Sequence, residues 1–341
     1  MFDFRFFLYF FDCFSAVFCT FAPMKTDKRK IVFIVNPISG TKSKEGLPQL
    51  IEKTLDAEKF EWSIVKTEYA GHAAEIATQC AKDGIDICVA VGGDGTVNEV
   101  ARSLVHTQTA LGIVPSGSGN GLARHLCLPM SMKGALKMIN EAHIESFDYG
   151  LINGQPFFCT CGMGFDAYVS LKFANSGKRG LSTYAKLVLQ EGIRYQPERY
   201  TVTFKDEQGD HAYEAFLIAC ANAAQYGNNT YIAPQASMQD GLLDVIIIDD
   251  VKVAGRPKLL TELFTKTLRN NRHAKIFRTT KLHIHREGEG AIHYDGDPMM
   301  AGTDFDIELK PLGLRAITNP KKIEDPAKPN AVMNTISKVL R

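Results

Sequence analysis

Residues 85–96, IDICVAVGGDGT, constrain this chain more than any other stretch. A short apolar run gives way at once to two glycines, an aspartate, a third glycine and a threonine. The run reads as a buried strand, and VNEVARSLV after it reads as a helix. The junction is therefore a tight turn onto a helix N-terminus. Free backbone N–H groups and the positive end of the helix dipole there suit an anion such as a phosphate. Gly92, Gly93 and Gly95 are expected to give close backbone approach and positive φ. Asp94 sets a carboxylate beside that anion, which makes chemical sense with a metal ion or a transferable proton nearby.

The same grammar recurs along the first half. A strand at 30–35 ends in Asn36-Pro37-Ile38-Ser39-Gly40, where the proline stops the strand and the glycine permits the turn. A helix at 47–55 leads to a strand at 62–66, the loop Thr67-Glu68-Tyr69-Ala70-Gly71-His72, and a helix at 73–83. A strand at 110–114 runs into Pro115-Ser116-Gly117-Ser118-Gly119-Asn120-Gly121 and a helix at 122–126. Four successive strand ends thus carry polar or glycine-rich loops, and in an open parallel sheet those ends form the ligand crevice. No G-x-x-x-x-G-K-[ST] occurs, and Leu122 stands where G-x-G-x-x-G needs its last glycine. A P-loop is excluded and a dinucleotide fingerprint disfavoured.

At 341 residues the chain is expected to form about two domains. A formal net charge of +1 argues against a nucleic-acid binder acting by bulk electrostatics. The eight cysteines are dispersed and show no zinc or C-x-x-C spacing, so they read as free thiols of a reducing compartment. Residues 1–23 are crowded with phenylalanine but carry Arg5 and Asp12, which spoils both a membrane span and a signal peptide. Met24 is the expected initiator, with a membrane-associating extension as the alternative. From about Gly150 the pattern turns to alternating strands at 156–161, 199–205, 214–221, 242–249 and 281–285, with helices at 182–193 and 258–268. Leu259, Leu260, Leu263, Phe264 and Leu268 stripe the second helix. Strands at 305–309 and 314–318 return to the first domain, and 319–341 reads as a peripheral tail.

Three acidic sites mark the second half: Asp148 in SFDYG, Asp240 and Asp244 in DGLLD, and Asp295 and Asp297 in HYDGDP. An Asp-Gly pair is first of all a turn. Cradled phosphates, however, need a Mg²⁺, which prefers carboxylate, carbonyl and water oxygens. Phosphoryl transfer also needs a carboxylate to take a hydroxyl proton.

NPISG, TEYAGHA, GGDGT, PSGSGNGLA, DGLLD and DGD occur in one order, and this ordered set resembles the diacylglycerol kinase catalytic-domain family, which includes bacterial soluble lipid kinases and sphingosine kinases. The resemblance covers roughly residues 30–318; GGDGT alone is shared with NAD kinases and phosphofructokinases. It implies an α/β N-terminal nucleotide-binding domain of the NAD kinase and diacylglycerol kinase type plus a C-terminal antiparallel β-sandwich. The expected division is 24–149 with 299–318 returning, 150–298 for lipid and metal, a tail at 319–341 and an uncertain extension at 1–23. ATP would bind between the domains with Mg²⁺. By motif match Thr67, Gly92, Gly93, Asp94, Gly95 and Thr96 would hold the nucleotide, with Asn36, Ser39, Gly40 and Ser118 near its phosphates. Asn98, Glu99 and Asp297 complete that expected set. Asp295 matches the general base, with Asp94 as the second catalytic carboxylate. Asp94, Asp148 and Asp240 match an acidic Mg²⁺ network, and Asp240 with carbonyls near Ser237 and Leu242 would hold a structural metal.

The expected activity is ATP-dependent phosphorylation of a lipid hydroxyl, with diacylglycerol placed first. A sphingoid base is the alternative, because many bacterial diacylglycerol kinases have Gly-Thr-x-Asn-Asp where this chain has Gly117-Ser118-Gly119-Asn120-Gly121. The usual Asp-Gly-Glu is Asp-Gly-Asp here, so Asp297 is one methylene short. An NAD kinase is disfavoured by DGLLD and DGD, and a non-catalytic regulator by the intact Asp94, Asp240 and Asp295. The expected partners are a lipid at a membrane surface, reached peripherally from the cytoplasm at the inner leaflet, no nucleic acid, and as an option a second copy of the chain. Lys266, Arg269, Arg272, Lys275, Arg278 and Lys281 within 256–286 offer a basic face for that contact, where each well-placed charge gains about 1 kcal/mol.

Overall fold

The structure is a computed structural model that describes residues 28–40, 44–177, 181–205 and 209–321. The expectations for residues 1–23 and for the tail beyond residue 321 lie outside the described residues.

Four parallel strands form the first layer: β1 (Arg29–Val35), β2 (Phe60–Lys66), β3 (Ile87–Gly92) and β4 (Ala110–Pro115), in the order β4-β3-β1-β2. Every residue of β3 and β4 is buried, as expected for strands covered on both faces. The connections are α1 (Leu47–Thr54), α2 (His72–Lys82) and α3 (Asp94–Leu104). On α3, Val97, Val100, Ala101 and Leu104 are buried at helical spacing, so this stripe presses the helix onto the sheet. Two helices follow, α4 (Gly121–His125) and α5 (Met132–Glu141), the latter capped by Ser131 Oγ accepting the Gly134 N–H at 3.2 Å.

The chain then enters an antiparallel region: β5 (Ile144–Ile152), β6 (Gln155–Phe157), β7 (Thr160–Gly164), the helices α6 (Phe165–Asn175) and α7 (Leu181–Arg194), β8 (Glu198–Phe204) and β9 (His211–Ala221). Next come β10 (Gln225–Gly227), β11 (Thr230–Tyr231), β12 (Leu243–Asp249), α8 (Arg256–Thr265), β13 (Ala274–Thr279), β14 (Lys281–Arg286), β15 (Gly290–Tyr294), β16 (Asp297–Ala301) and β17 (Asp304–Ile317). The long strand β9 serves two layers, pairing β8 with its first residues and β7 and β12 with its last. Between the layers lies a core that includes Met163, Tyr200, Val202, Val245, Ile284 and Phe305, so the antiparallel region is a sandwich. A further core packs Val169, Phe216, Ile246, Leu259 and Leu263 between the outer face and its helices.

The two late strands expected at 305–309 and 314–318 are one strand, β17, with its register broken between Lys310 and Leu314. Its first part pairs with β14, and Ala316 pairs in parallel with Leu111 of β4. β5 runs antiparallel along both parts, so the expected boundary at 149–150 falls inside a strand pair shared by both halves. The expected helix at 258–268 is shorter: Lys266 takes φ +60° and stops α8, and Leu268 is buried from the short turn that follows.

Candidate active site

The crevice forms where the strand ends expected from the sequence meet the turn between β15 and β16. None of Gly92, Gly93 or Gly95 has positive φ, contrary to expectation. Their role is close approach alone. A Cβ on Gly92 would lie 2.5 Å from the Thr96 side chain, and one on Gly117 would lie 2.5 Å from Gly93 Cα. The two glycine loops therefore touch backbone to backbone. Gly40 does adopt φ +68°, and a Cβ there would collide with the Ser116 carbonyl at 1.8 Å, so the 36–40 loop also closes on this pair.

Polar side chains fix the three loops to one another. The Asn36 amide donates to Thr96 Oγ1 at 3.1 Å, and Asn36 Oδ1 accepts the Ile38 N–H at 3.1 Å. Ser39 Oγ donates to the Asn36 carbonyl at 3.1 Å, and Lys44 Nζ donates to Ser39. Burial lowers the Lys44 pKa. Glu99 accepts the N–H groups of Gly71 at 3.0 Å and Ala73 at 3.2 Å, holding the Thr67–His72 loop against α3 at the start of α2. Thr67 is buried and its N–H continues the β1 pairing to Val35, while Ser118 is exposed at the rim.

Asp94 stands in the first turn of α3 but its carboxylate looks across to the second glycine loop. Oδ2 accepts the Asn120 N–H at 2.9 Å and Oδ1 the Gly121 N–H at 2.7 Å. Asn120 sits at φ +53° and exchanges hydrogen bonds with Gly117 at 2.9 and 3.1 Å. Burial raises the Asp94 pKa, opposed by these two backbone bonds. Asp94 is thus a staple between loops as well as a crevice carboxylate.

Asp295 occupies the turn after β15 at φ +48°. Oδ1 accepts from the backbone of Cys159 at 2.6 Å and Thr160 at 3.2 Å; Oδ2 accepts from the backbone of Phe158 at 2.9 Å and the Asn98 amide at 2.8 Å. The Asn98 bond joins the α/β half to the sandwich. A carboxylate has about four acceptor positions, so protein donors fill all of them. Burial raises the Asp295 pKa, and the four bonds oppose that rise. Asp94, Asn98, Leu122, Phe158, Tyr226 and Asp295 line one narrow cavity between the halves.

Asp297 is different. The residue is exposed at the crevice rim, but its carboxylate turns toward α3, has no hydrogen bond among the described residues, and would lie 3.7 Å from a Cβ on Gly95. Desolvation and the negative charges of Asp295, Asp94 and Glu99 push its pKa up to about 6.

The expected metal ligands do not converge. Asp148 is buried and spent on two amides, Gly241 N–H at 2.9 Å and Leu312 N–H at 2.8 Å, so it brackets the DGLLD turn to the break in β17. Asp240 pairs with Arg278 and accepts the Leu242 N–H at 3.2 Å, while Ser237 Oγ accepts from Gln239 at 3.3 Å. A guanidinium already neutralises Asp240, and among the described residues no group of three or more His, Cys, Asp or Glu forms a metal cluster. The crevice carboxylates form no such group either, and Asp94 and Asp295 already accept from protein N–H groups, which leaves Asp297 as the crevice carboxylate with oxygens to spare.

The basic face also changes. Arg256 and Arg286 are buried, capping backbone carbonyls such as Val251 and Tyr195 for the first and Gly290, Ala291, Ala301 and Gly302 for the second. Lys275 pairs with Asp249, Arg278 with Asp240, and Lys281 with Glu308. Arg269 and Arg272 remain exposed without an ion pair among the described residues. No helix among the described residues is long and apolar enough to cross a membrane.

Comparison with known proteins accounts for both halves. The sequence model of the diacylglycerol kinase catalytic domain matches residues 30–152, and that of the YegS C-terminal NAD kinase beta sandwich-like domain matches residues 159–318. The chain belongs to the diacylglycerol kinase catalytic-domain family and is a lipid kinase of that family. A diacylglycerol kinase of Staphylococcus saprophyticus is 28% identical over 239 residues, 69% of this chain and 77% of that protein. A YegS-like lipid kinase of Chromohalobacter salexigens is 28% identical over 234 residues, 67% of this chain and 75% of its own. In fold, the chain is similar to a solved diacylglycerol kinase from Bacillus anthracis, with a TM-score of 0.68 at 23% identity, covering 88% of this chain and all of that one.

Proposed function

We propose that this lipid kinase transfers the γ-phosphoryl group of ATP to the hydroxyl of diacylglycerol, with Asp295 as proton acceptor. The observation that carries the reading is the placement of Asp295 and Asn98 beside three interlocked glycine loops at the strand ends. The loops present backbone without side chains, suited to the triphosphate, at the N-terminus of α3. A lipid hydroxyl is a poor nucleophile until its proton is shared with a carboxylate. Three backbone N–H groups aim Asp295; the fourth donor, the Asn98 amide, is the one a substrate hydroxyl replaces. Mg²⁺, when bound, would offset phosphate charge, with Asp297, whose oxygens accept no hydrogen bond among the described residues, as the nearby oxygen donor. The crevice lies between the halves and can exclude water that would hydrolyse ATP.

The curated relatives named diacylglycerol kinase support that acceptor. A sphingoid base is the second reading, supported by Gly121, which stands in this tightly packed wall of the cavity, a Cβ there lying 3.2 Å from the Tyr226 carbonyl and 3.4 Å from Cys159 Sγ, where many diacylglycerol kinases carry Asp. Arg269 and Arg272 would make peripheral contact with an anionic inner leaflet from the cytoplasm. The test is phosphate transfer from labelled ATP to diacylglycerol, sphingoid base, ceramide and polyprenol in mixed micelles. Labelled phosphatidic acid is the expected product. Label on the sphingoid base alone selects the second reading, and no labelled lipid with ATP bound refutes both.

A further inference from the structure

A second cavity, of about 290 Å³, lies on the outer face of the sandwich, away from the crevice. Its floor is the β12–β13 pair, where Asp244 lies opposite Arg278, Ile246 opposite Ile276 and Ile248 opposite Ala274. The loop at Ala233–Gln235 and Arg269, from the short turn after α8, complete the wall. Small-molecule clefts run from about 300 to 1,000 Å³, so this one suits a compact group rather than a pair of acyl chains.

Its charges are unbalanced in two places. Asp244 is only 5% exposed, and its Oδ2 is buried with no hydrogen-bond partner. Buried carboxylate oxygens are normally satisfied, so an orphan of this kind calls for a donor. The nearest cation is Arg278, whose Nε is 3.5 Å from Asp244 Oδ1, but the same guanidinium pairs with Asp240. Two carboxylates share one positive charge, which leaves one negative charge uncompensated. On the wall, Arg269 has no ion pair with any described residue and leaves one positive charge uncompensated. Apart from Gln235, the rest of the lining is apolar: Ala233, Pro234, Ile246, Ala274 and Ile276.

We propose that this cavity binds a phosphorylated primary amine of the phosphoethanolamine type, its ammonium donating to Asp244 and its phosphate meeting Arg269. An ammonium is three donors with no acceptor and matches an orphan carboxylate oxygen. A guanidinium offers phosphate a bidentate face. The short apolar spacer between the two ligand charges lies against the isoleucines. The group comes either from a free metabolite or from the headgroup of an aminophospholipid, and 43% exposure of Ile276 leaves the floor open to a membrane surface.

The experiment is calorimetric titration of the full chain, without ATP, with O-phosphoethanolamine, phosphocholine, inorganic phosphate and MgCl₂ in turn. Phosphoethanolamine binds saturably; phosphocholine, which has no N–H donor, binds at least about tenfold more weakly, a loss of about 1.4 kcal/mol. Asp244→Asn and Arg269→Ala each weaken binding by about tenfold or more, in line with hydrogen bonds to charged groups. Arg269 is exposed, so its variant carries the test if Asp244→Asn fails to fold. Sedimentation with phosphatidylethanolamine–phosphatidylcholine vesicles, against phosphatidylcholine alone, distinguishes the sources: Arg269-dependent pelleting assigns the headgroup, and its absence beside soluble binding assigns the metabolite. Equal binding of phosphocholine, binding unchanged in Arg269→Ala, no saturable heat, or a response to Mg²⁺ alone overturns the proposal.

Discussion

Asp94→Asn separates a carboxylate that builds the crevice from one that serves only the chemistry. In the folded protein its two oxygens accept the Asn120 N–H at 2.9 Å and the Gly121 N–H at 2.7 Å. An asparagine keeps one acceptor and turns an NH₂ toward the other N–H. One charge-assisted bond is lost and one partly buried donor is orphaned. Bonds to charged groups contribute about 1.5–3 kcal/mol each. The gain from no longer burying a charge, which is what raises the Asp94 pKa, offsets part of this, and the net expected loss is about 2 kcal/mol. For domains of this size each kcal/mol moves Tm by about 2–4 °C, so a fall of about 4–8 °C is expected. Scanning calorimetry of wild type, Asp94→Asn and Asp297→Asn at pH 7 reads it. Amide exchange at Asn120 and Gly121 should accelerate in the first variant. Asp297 makes no hydrogen bond among the described residues and is crowded by like charge, so its variant keeps or raises Tm. An Asp94→Asn protein with unchanged Tm and unchanged exchange refutes the staple.

Three further outcomes follow from the crevice. Asp297, lifted to about 6, is protonated below that pH and ionised above it, so kcat/KM should rise as pH passes through about 6, and a pH–rate profile of Asp297→Asn should lack that limb. Its folded pKa lies above the ordinary 3.8, so the folded state binds the proton more tightly and stability falls between about pH 4 and pH 6; the same variant abolishes the fall. Gly117→Ala sets a Cβ 2.5 Å from Gly93 Cα, against backbone that has no rotamer to yield; the loops part, and ATP affinity measured by titration should drop at least about tenfold, about 1.4 kcal/mol. Unchanged affinity would show that the loops' contact is dispensable.

The alternation of strand, loop and helix was legible up to β4 because parallel strands buried on both faces carry continuous apolar runs, and because each crossover helix has a clean apolar stripe. The sandwich was legible in part. β8 and β14 alternate clearly and β9 and β12 carry continuous apolar runs, but β13 carries Lys275 and Arg278 and is largely exposed, β16 carries exposed methionines, and α6 is apolar around most of its girth with no stripe to mark it. The motifs named the crevice residues but not what their atoms do. GGDGT places an aspartate in a helix's first turn; only the tertiary fold shows it holding Asn120 and Gly121. Asp148 and Asp240 looked like metal ligands because their types are right, yet two amides and Arg278 reach them first. Lys44, Asp166 and His293 gave no local signal. Asp166 accepts from Tyr226 at 2.7 Å and lies 3.0 Å from His293, a buried set assembled from α6, β10 and β15. Asn120 alone left a trace, since Asn beside glycines in a turn is a frequent left-handed residue.

The most direct measurement is single-turnover phosphoryl transfer by Asp295→Asn beside Asp297→Asn, with ATP affinity and folded fraction determined for each. If Asp295 takes the proton, Asp295→Asn loses transfer by about 10²–10⁴-fold while still binding ATP, and Asp297→Asn loses far less, its rate held at every pH near that of the wild type below about pH 6. If Asp295→Asn transfers phosphate at the wild-type rate and Asp297→Asn does not, the proton goes to Asp297, and the four-donor cradle around Asp295 is a structural fixture only.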